Sequence, residues 1–346
     1  MTAVSFGLFD WIDASGAPLA TLYEERLRLL EAAEAAGFYA YHLAEHHGTP
    51  LGMAPSPGLF LAAAAQRTRR IRLGPLVHIL PLYNPLRLLE EICMLDHLSG
   101  GRLELGLGRG ISPYELGYFG VNDEPTTRSL FEESLAVILR GLTQDRLSFE
   151  GDHYRFQDVP MTLKPLQRPY PPLWYPSQTP GSVPRLARDG FNYVRLGPAS
   201  MARDPFAEYW RIWEEHRGDA NRLNGHVARP RVGLVRQVVV AETDAEAAAL
   251  TERAYGVWNR AILKVWHEHD DHSRDAQFSY ENALKHETVL SGSPTTVRAQ
   301  MARMLEESGC NYVLCVFAWG DLSHEDAMRS LRLFAGEVMP AFAGGA

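Results

Sequence analysis

Eight short, mostly apolar segments, each followed by a stretch of helical periodicity, predict a TIM (β/α)8 barrel with insertions for this chain of 346 residues. The strands read as continuous apolar runs, as in a parallel sheet buried on both faces. An open doubly wound sheet usually has fewer strands. The length is also somewhat above the roughly 250 residues of a plain barrel, which leaves room for insertions.

VSFGLF (4–9) is the first strand. Residues 21–36, TLYEERLRLLEAAEAA, have helical periodicity, and Gly37 closes them as a C-cap residue. Tyr39 to Ala44 is the second strand, followed by the loop GTPLGMAPSP and an alanine-rich helix near 58–67. IRLGPLVHIL (71–80) reads as one buried strand and PLRLLEEICMLDHL (85–98) as a helix ended by Ser99-Gly100-Gly101. RLELGLG (102–108) is the fourth strand. The alternation resumes with strand 172–176, helix 181–189, strand 191–196, helix 205–217, strand 231–241 and the long helix 243–265. Helix 294–308, closed by Gly309, strand 311–318 and helix 323–336 complete it. One insertion follows strand four, at 147–171, where SFEGDHYRFQ reads as a hairpin before a Pro-rich connection. The other lies between strands seven and eight, where the polar, His-rich stretch 266–292 reads as a mobile loop. Neither a linker nor a solenoid repeat divides the chain, so 1–346 is expected to be a single domain.

Apolar residues make up 46% and charged ones 22%, enough for an ordinary core. A net charge of −8 and scattered arginines argue against a nucleic-acid surface. Cys93, Cys310 and Cys315 lack Cys-x-x-Cys spacing and read as buried thiols. The opening MTAVSFGLFDW does not read as a signal peptide, and no apolar run approaches the roughly 20 residues of a membrane span. The expectation is a cytoplasmic protein.

In a TIM barrel the active site lies at the carboxyl ends of the strands. Glu45-His46-His47 stands there, at the end of strand two. A histidine so placed can stabilise an oxyanion or a peroxide, or shuttle a proton. Polar strand caps satisfied by neighbouring backbone fit the same residues. A strand sends successive side chains to opposite faces, so His46 and His47 diverge and do not chelate one ion. WHEHDDH (266–272) carries three histidines and three acids, but its register fits no ligand pattern and it reads as a solvated loop. No metal is expected.

GLGRG (106–110) resembles a dinucleotide fingerprint but lacks the third glycine. In a barrel it ends strand four, and Arg109, between glycines, can reach an anion in the mouth or pair with a loop acid. SQTPGSVPRLARDG (177–190) leads into a helix whose N-terminus suits phosphate, with Ser182 near the first turn, where it can equally be an N-cap. Two anion sites beside a histidine suggest a phosphorylated cofactor.

GFYAYHLAEHH, LVHILPLYNPLRLLEEICMLDHLSGGRLELGLGRG and VFAWGDLSHEDAMRSLRLFAGEVMPAF together resemble the bacterial luciferase-like family of flavin-dependent monooxygenases. The resemblance covers nearly the whole chain and is weakest at 200–230 and 266–292. It implies a TIM barrel and a two-component monooxygenase. Such an enzyme takes reduced FMN from a separate flavin reductase and uses O2, through a flavin hydroperoxide, to oxygenate a small organic substrate. His46 would be catalytic, with Glu45 of the same motif at the cofactor. Arg109 would bind the FMN phosphate, with Ser177, Gln178 and Ser182 supplying further contacts. Leu76-Val77 aligns with a non-proline cis peptide beneath the flavin ring, and Phe9 would line the ring pocket. Luciferase carries an acid where Ser177 stands, and 266–292, which corresponds to a mobile lid, aligns poorly. The family also implies a homodimer, to which the helices at 58–67 and 85–98 could contribute a face. A deazaflavin-dependent hydride transferase on the same barrel and a flavin-binding protein without turnover are the rival readings. Trp11, Trp174 and Trp319 would make an apolar substrate pocket if they face the mouth.

Overall fold

The apolar runs form strands and the Leu- and Ala-rich segments form helices in a computed structural model that describes residues 4–342. The outermost ends of the expected 1–346 domain lie outside the described residues. In chain order the elements begin β1 (Ser5–Asp10), α1 (Leu19–Ala35), β2 (Ala40–Leu43), α2 (Pro57–Arg67), β3 (Arg72–Pro75), β4 (His78–Ile79), α3 (Pro85–Leu98) and β5 (Leu105–Gly108). Then come α4 (Pro113–Tyr118), α5 (Glu124–Thr143), β6 (Arg146–Glu150), β7 (Arg155–Pro160), β8 (Leu173–Pro176), α6 (Val183–Asp189), β9 (Asn192–Arg195) and α7 (Arg203–His216). The remainder are β10 (Val232–Val240), α8 (Asp244–His267), α9 (Tyr280–Lys285), β11 (Val289–Gly292), α10 (Pro294–Ser308), β12 (Tyr312–Val316) and α11 (His324–Leu333). Gly37 and Gly309 take φ values of +85° and +66° just beyond α1 and α10, the left-handed turn that ends a helix.

The strands run parallel in the order β3-β2-β1-β12-β10-β9-β8-β5-β4. The path returns on itself where Leu73 meets Leu103: Leu73 N donates to Arg102 O at 2.9 Å and Glu104 N to Leu73 O at 2.8 Å. This is the predicted TIM barrel, with β6 and β7 forming an antiparallel hairpin outside it.

Two local readings change. The apolar run 71–80 is not one strand. It breaks at Leu76-Val77, whose peptide bond is cis, so β3 and β4 share the third place in the ring. An unbroken apolar pattern carries no sign of such a break, because both halves are buried. The stretch 266–292 is not merely a loop, since it holds α9 and β11. β11 pairs with Gln237–Val240 at the end of β10, which has nine residues where most neighbouring strands have four to six. Val289 and Leu290 are too few to announce a strand alone; the free edge of β10 makes them one.

Side chains alternate between two cores. Phe6 and Leu8 of β1, like Val238 and Val240 of β10, pack outward against the helices. Phe9, Val235 and Val239 face a separate cluster with Val194, Leu314, Val316 and Trp319. Lower in the barrel the interior is a polar and aromatic plug. His42 Nε2 lies 3.1 Å from the Tyr312 hydroxyl, and Trp174 Nε1 and Tyr39 Oη both donate to Glu104. Burial, with Arg231 and Arg72 nearby, pushes His42 down to about 3, so its ring is neutral in the plug. Among the described residues no helix is long and apolar enough to cross a membrane.

The seam tolerates no added carbon. A Cβ on Gly74 would sit 2.2 Å from the Glu104 carbonyl oxygen, whereas one on Gly256, within α8, meets its nearest atom, the tip of Arg260, at 3.7 Å. Gly74→Ala is expected to destabilise the protein by about 1–3 kcal/mol through overpacking. Gly256→Ala should stabilise it by about 0.5–1 kcal/mol through helix propensity. Denaturant midpoints of both variants check the pair, and equal shifts would contradict the seam argument.

Candidate functional site

The chain leaves β2 at the carboxyl end of the barrel, and its next residues divide their side chains between two buried carboxylates. Glu45 turns back over β4. Its Oε2 accepts from Ile79 N at 3.2 Å and from the Tyr83 hydroxyl at 2.8 Å, and its Oε1 is 3.0 Å from His47 Nε2. His78 Nδ1, at 3.7 Å, faces the same carboxylate without reaching hydrogen-bond length. Burial works against the charge on Glu45. The surrounding donors outweigh it and hold the carboxyl below its usual range.

His46 points the other way, to an acid from a different element. Its Nδ1 is 3.1 Å from Glu115 Oε1, and Glu115 Oε2 accepts from His47 N at 2.7 Å. Glu115 is 3% exposed, on α4. The two histidines thus diverge, although both lie beyond the end of β2. The sequence reading missed Glu115. Ser112-Pro113-Tyr114-Glu115 has the form of a capping box, which assigns the glutamate to its own helix end. Ser112 does cap α4, accepting from Glu115 N at 3.3 Å, but the carboxylate serves His46 and His47 instead. The loop after His47 closes over this pair: a Cβ on Gly52 would fall 2.6 Å from His46 Cβ.

Below the histidines, Phe9 packs edge-on against Trp11 at 4.9 Å and shares its cluster with Leu76, Val77, Val194, Val239 and Trp319. Val77 of the cis bond presses on Gly108, where a Cβ would lie 2.6 Å from Val77 Cγ2. Donors in and beside this cluster lack partners. Gln237 Nε2, Trp258 Nε1 and Trp319 Nε1 are buried with no acceptor among the described residues. Trp11, Trp174 and Trp319 all belong to this cluster, and Trp174 also ties it to the plug through its bond to Glu104.

Arg109 follows β5, and Ser177 follows β8, its hydrogen-bonded neighbour. Arg109 Nη1 lies 2.8 Å from Glu124 Oε1 in the first turn of α5. The Ser182 hydroxyl donates to Ser177 Oγ at 2.7 Å, and Thr179 N donates to the same oxygen at 3.1 Å, so both serines sit in one tight turn. The Gln178 amide turns away onto the Leu196 backbone, N to O at 2.9 Å and O to N at 2.6 Å in the orientation that satisfies both.

The segment after α8 folds toward the same end. Tyr114 of α4 stacks on His269 with ring centroids 4.1 Å apart, and its hydroxyl donates to Asp271 at 2.8 Å. His267 and His272 meet at Asp275, with contacts of 2.7 and 2.9 Å, a grouping that their sequence spacing did not suggest.

Comparison with known proteins agrees with the fold. Residues 4–312 match the family described as luciferase-like monooxygenase. The chain is 31% identical to 4-hydroxyprotoasukamycin monooxygenase of Streptomyces nodosus subsp. asukaensis, over 99% of this chain and 94% of that protein. It is 25% identical to the oxygenase component of the flavin-dependent trigonelline monooxygenase of Acinetobacter baylyi, over 93% and 90%. Its fold superposes with a TM-score of 0.76 on the oxygenating constituent of 3,6-diketocamphane monooxygenase from Pseudomonas putida, solved with FMN; identity is 22% and coverage 98% of each chain.

The lowered carboxyl of Glu45 has a consequence for stability. A group depressed in the folded state adds stability above its unfolded range, near 4.5, and loses it as pH falls through the folded value. Glu45→Gln is therefore expected to cost about 1–3 kcal/mol at neutral pH. The gap from wild type should narrow on acidification below that range. Denaturant titrations across pH check it, and a gap that widens in acid would contradict the account.

Proposed function

The chain belongs to the luciferase-like monooxygenase family, and from that premise we propose that it is the oxygenating component of a two-component system, using reduced FMN from a separate flavin reductase. When bound, reduced FMN supplies the two electrons with which one atom of O2 enters an organic substrate and the other leaves as water.

The residues present fit that group. The buried apolar side chains of Phe9, Leu76 and Val77 would pack against the ring. The unpartnered donors of Gln237 and Trp319 suit its carbonyl oxygens, which would otherwise be buried without partners. Arg109 and the hydroxyls of Ser177 and Ser182 would hold the phosphate at two neighbouring strand ends, with Gln178, anchored on Leu196, holding the turn. Glu45 ties β4 to the end of β2, beside the residues that would hold the ring.

His46 carries the reading. Glu115 Oε2 accepts from the His47 amide, and its Oε1 faces His46 Nδ1 at 3.1 Å. With an Nδ1 proton directed at Glu115, His46 would present Nε2 as the nitrogen able to take or hold a proton at the reacting oxygen. Water must be kept away from that point, because hydrolysis releases hydrogen peroxide instead of product. The apolar cluster and the α4 clasp on the segment after α8 would provide that exclusion. The buried aromatic side chains of Trp11, Trp258 and Trp319 in the same cluster would suit an apolar organic substrate. Leu59, Met94 and Leu98 are 76%, 52% and 47% exposed on α2 and α3, which supports pairing of two copies through those helices.

Anaerobic titration with reduced FMN, followed by rapid mixing with oxygenated buffer, tests this. His46→Ala should still bind reduced FMN but reoxidise it faster, with more hydrogen peroxide released. Arg109→Gln should weaken binding about tenfold or more, the loss of a charge-assisted hydrogen bond. Reduced FMN that fails to bind, or reoxidises as free flavin does, would overturn the proposal, and binding of a reduced deazaflavin in its place would favour hydride transfer.

A further inference from the structure

The N-terminal end of a TIM barrel ordinarily serves stability, with chemistry at the other face. Here that end holds a cavity of about 290 Å³, reached where the chain enters β2, β3, β8, β9 and β10. Three arginines line it: Arg72, Arg168 and Arg231. Their compensation is incomplete. Arg72 pairs with Glu104 and donates to Gln167 Oε1 at 2.7 Å. Glu104 also accepts from Tyr39 and Trp174, so its oxygens are engaged within the plug. Among the described residues neither Arg231 nor Arg168 has a carboxylate partner, and the buried Nε of Arg231 has no acceptor.

Arg231 is nevertheless held in place. Its guanidinium carbon lies 3.3 Å from the centroid of the Tyr39 ring, and its backbone N–H donates to Asn192 Oδ1 at 2.8 Å. Stacking fixes the plane of the guanidinium and leaves its N–H groups around the edge, the fork that takes an oxyanion. A pre-positioned fork without an acceptor, beside two more cations on one cavity, is how an anion site is built.

We propose that this cavity binds a phosphate group, free or on a small organic molecule, at the end of the barrel opposite the histidines. The site is separate from the flavin reading and does not depend on it. The test melts the full-length protein in rising concentrations of inorganic phosphate, with chloride adjusted to keep ionic strength constant. Phosphate should raise the melting temperature saturably. Arg231→Gln should weaken that response about tenfold or more, the scale of a lost charge-assisted hydrogen bond. Arg109→Gln, altered at the opposite face, should leave it intact. A wild-type protein that does not respond beyond chloride overturns the proposal. A response kept by Arg231→Gln and lost by Arg109→Gln also overturns it and assigns the anion to the other face. Should Arg231→Gln fail to fold, Arg168→Gln at an exposed position decides: weakened affinity supports the site and unchanged affinity refutes it. Repeating the titration with ribose 5-phosphate distinguishes an organic phosphate from the free ion by which binds more tightly.

Discussion

The ring closes where β3 and β4 meet β5, and that seam leaves no room for a side chain at three of its positions. Cβ atoms on Gly74, Gly106 and Gly108 would fall 2.2, 2.1 and 2.6 Å from Glu104 O, Pro75 O and Val77 Cγ2. Such approaches exceed what packed interiors absorb without backbone movement. Much else follows from the position of this seam. At its lower end it brings Glu104 beneath Tyr39, Trp174 and Arg72, and so assembles the plug. At its upper end it sets Val77 against Gly108, presents Ile79 N to Glu45, and releases Arg109 at the rim.

Above the seam, two buried acids govern three histidines. Glu45 takes His47 and faces His78, while Glu115 takes His46 and the His47 backbone. Neither acid could be buried at low cost alone, since an isolated carboxylate in a dry interior is strongly penalised. Each is satisfied by several donors, which in turn orients the rings. Glu115 reaches the site on α4, and α4 also stacks through Tyr114 on His269 beyond α8. The residue that faces His46 and the contact to the segment after α8 are therefore carried by one short helix.

The plug separates the two ends of the barrel, and the ends differ in character. The upper end combines apolar surface, unpartnered neutral donors and histidines. The lower end gathers guanidinium groups around a cavity. Neutral His42 sits between them: a charge there would lie close to Arg72 and Arg231 in a medium of low dielectric constant.

Much of this was legible in one dimension. Apolar runs and helical periodicity encode which face of each element is buried, and that local information is enough for eight strands, their helices and a barrel. Glu45, His46 and Arg109 stood out as candidates because a barrel sets them at the carboxyl ends of strands. What sequence could not reveal were relationships between distant residues. Glu115 stands 69 positions from His46 and looks like a capping residue. β11 exists because β10 runs past its neighbours, and the break at Leu76-Val77 is hidden within an apolar run. Arg231 reads as one more scattered arginine until Tyr39, nearly two hundred residues earlier in the sequence, is brought beneath it. Periodicity is a property of consecutive residues, whereas a hydrogen-bond partner, a cavity wall or an uncompensated charge is set by which strand ends the closed ring brings together.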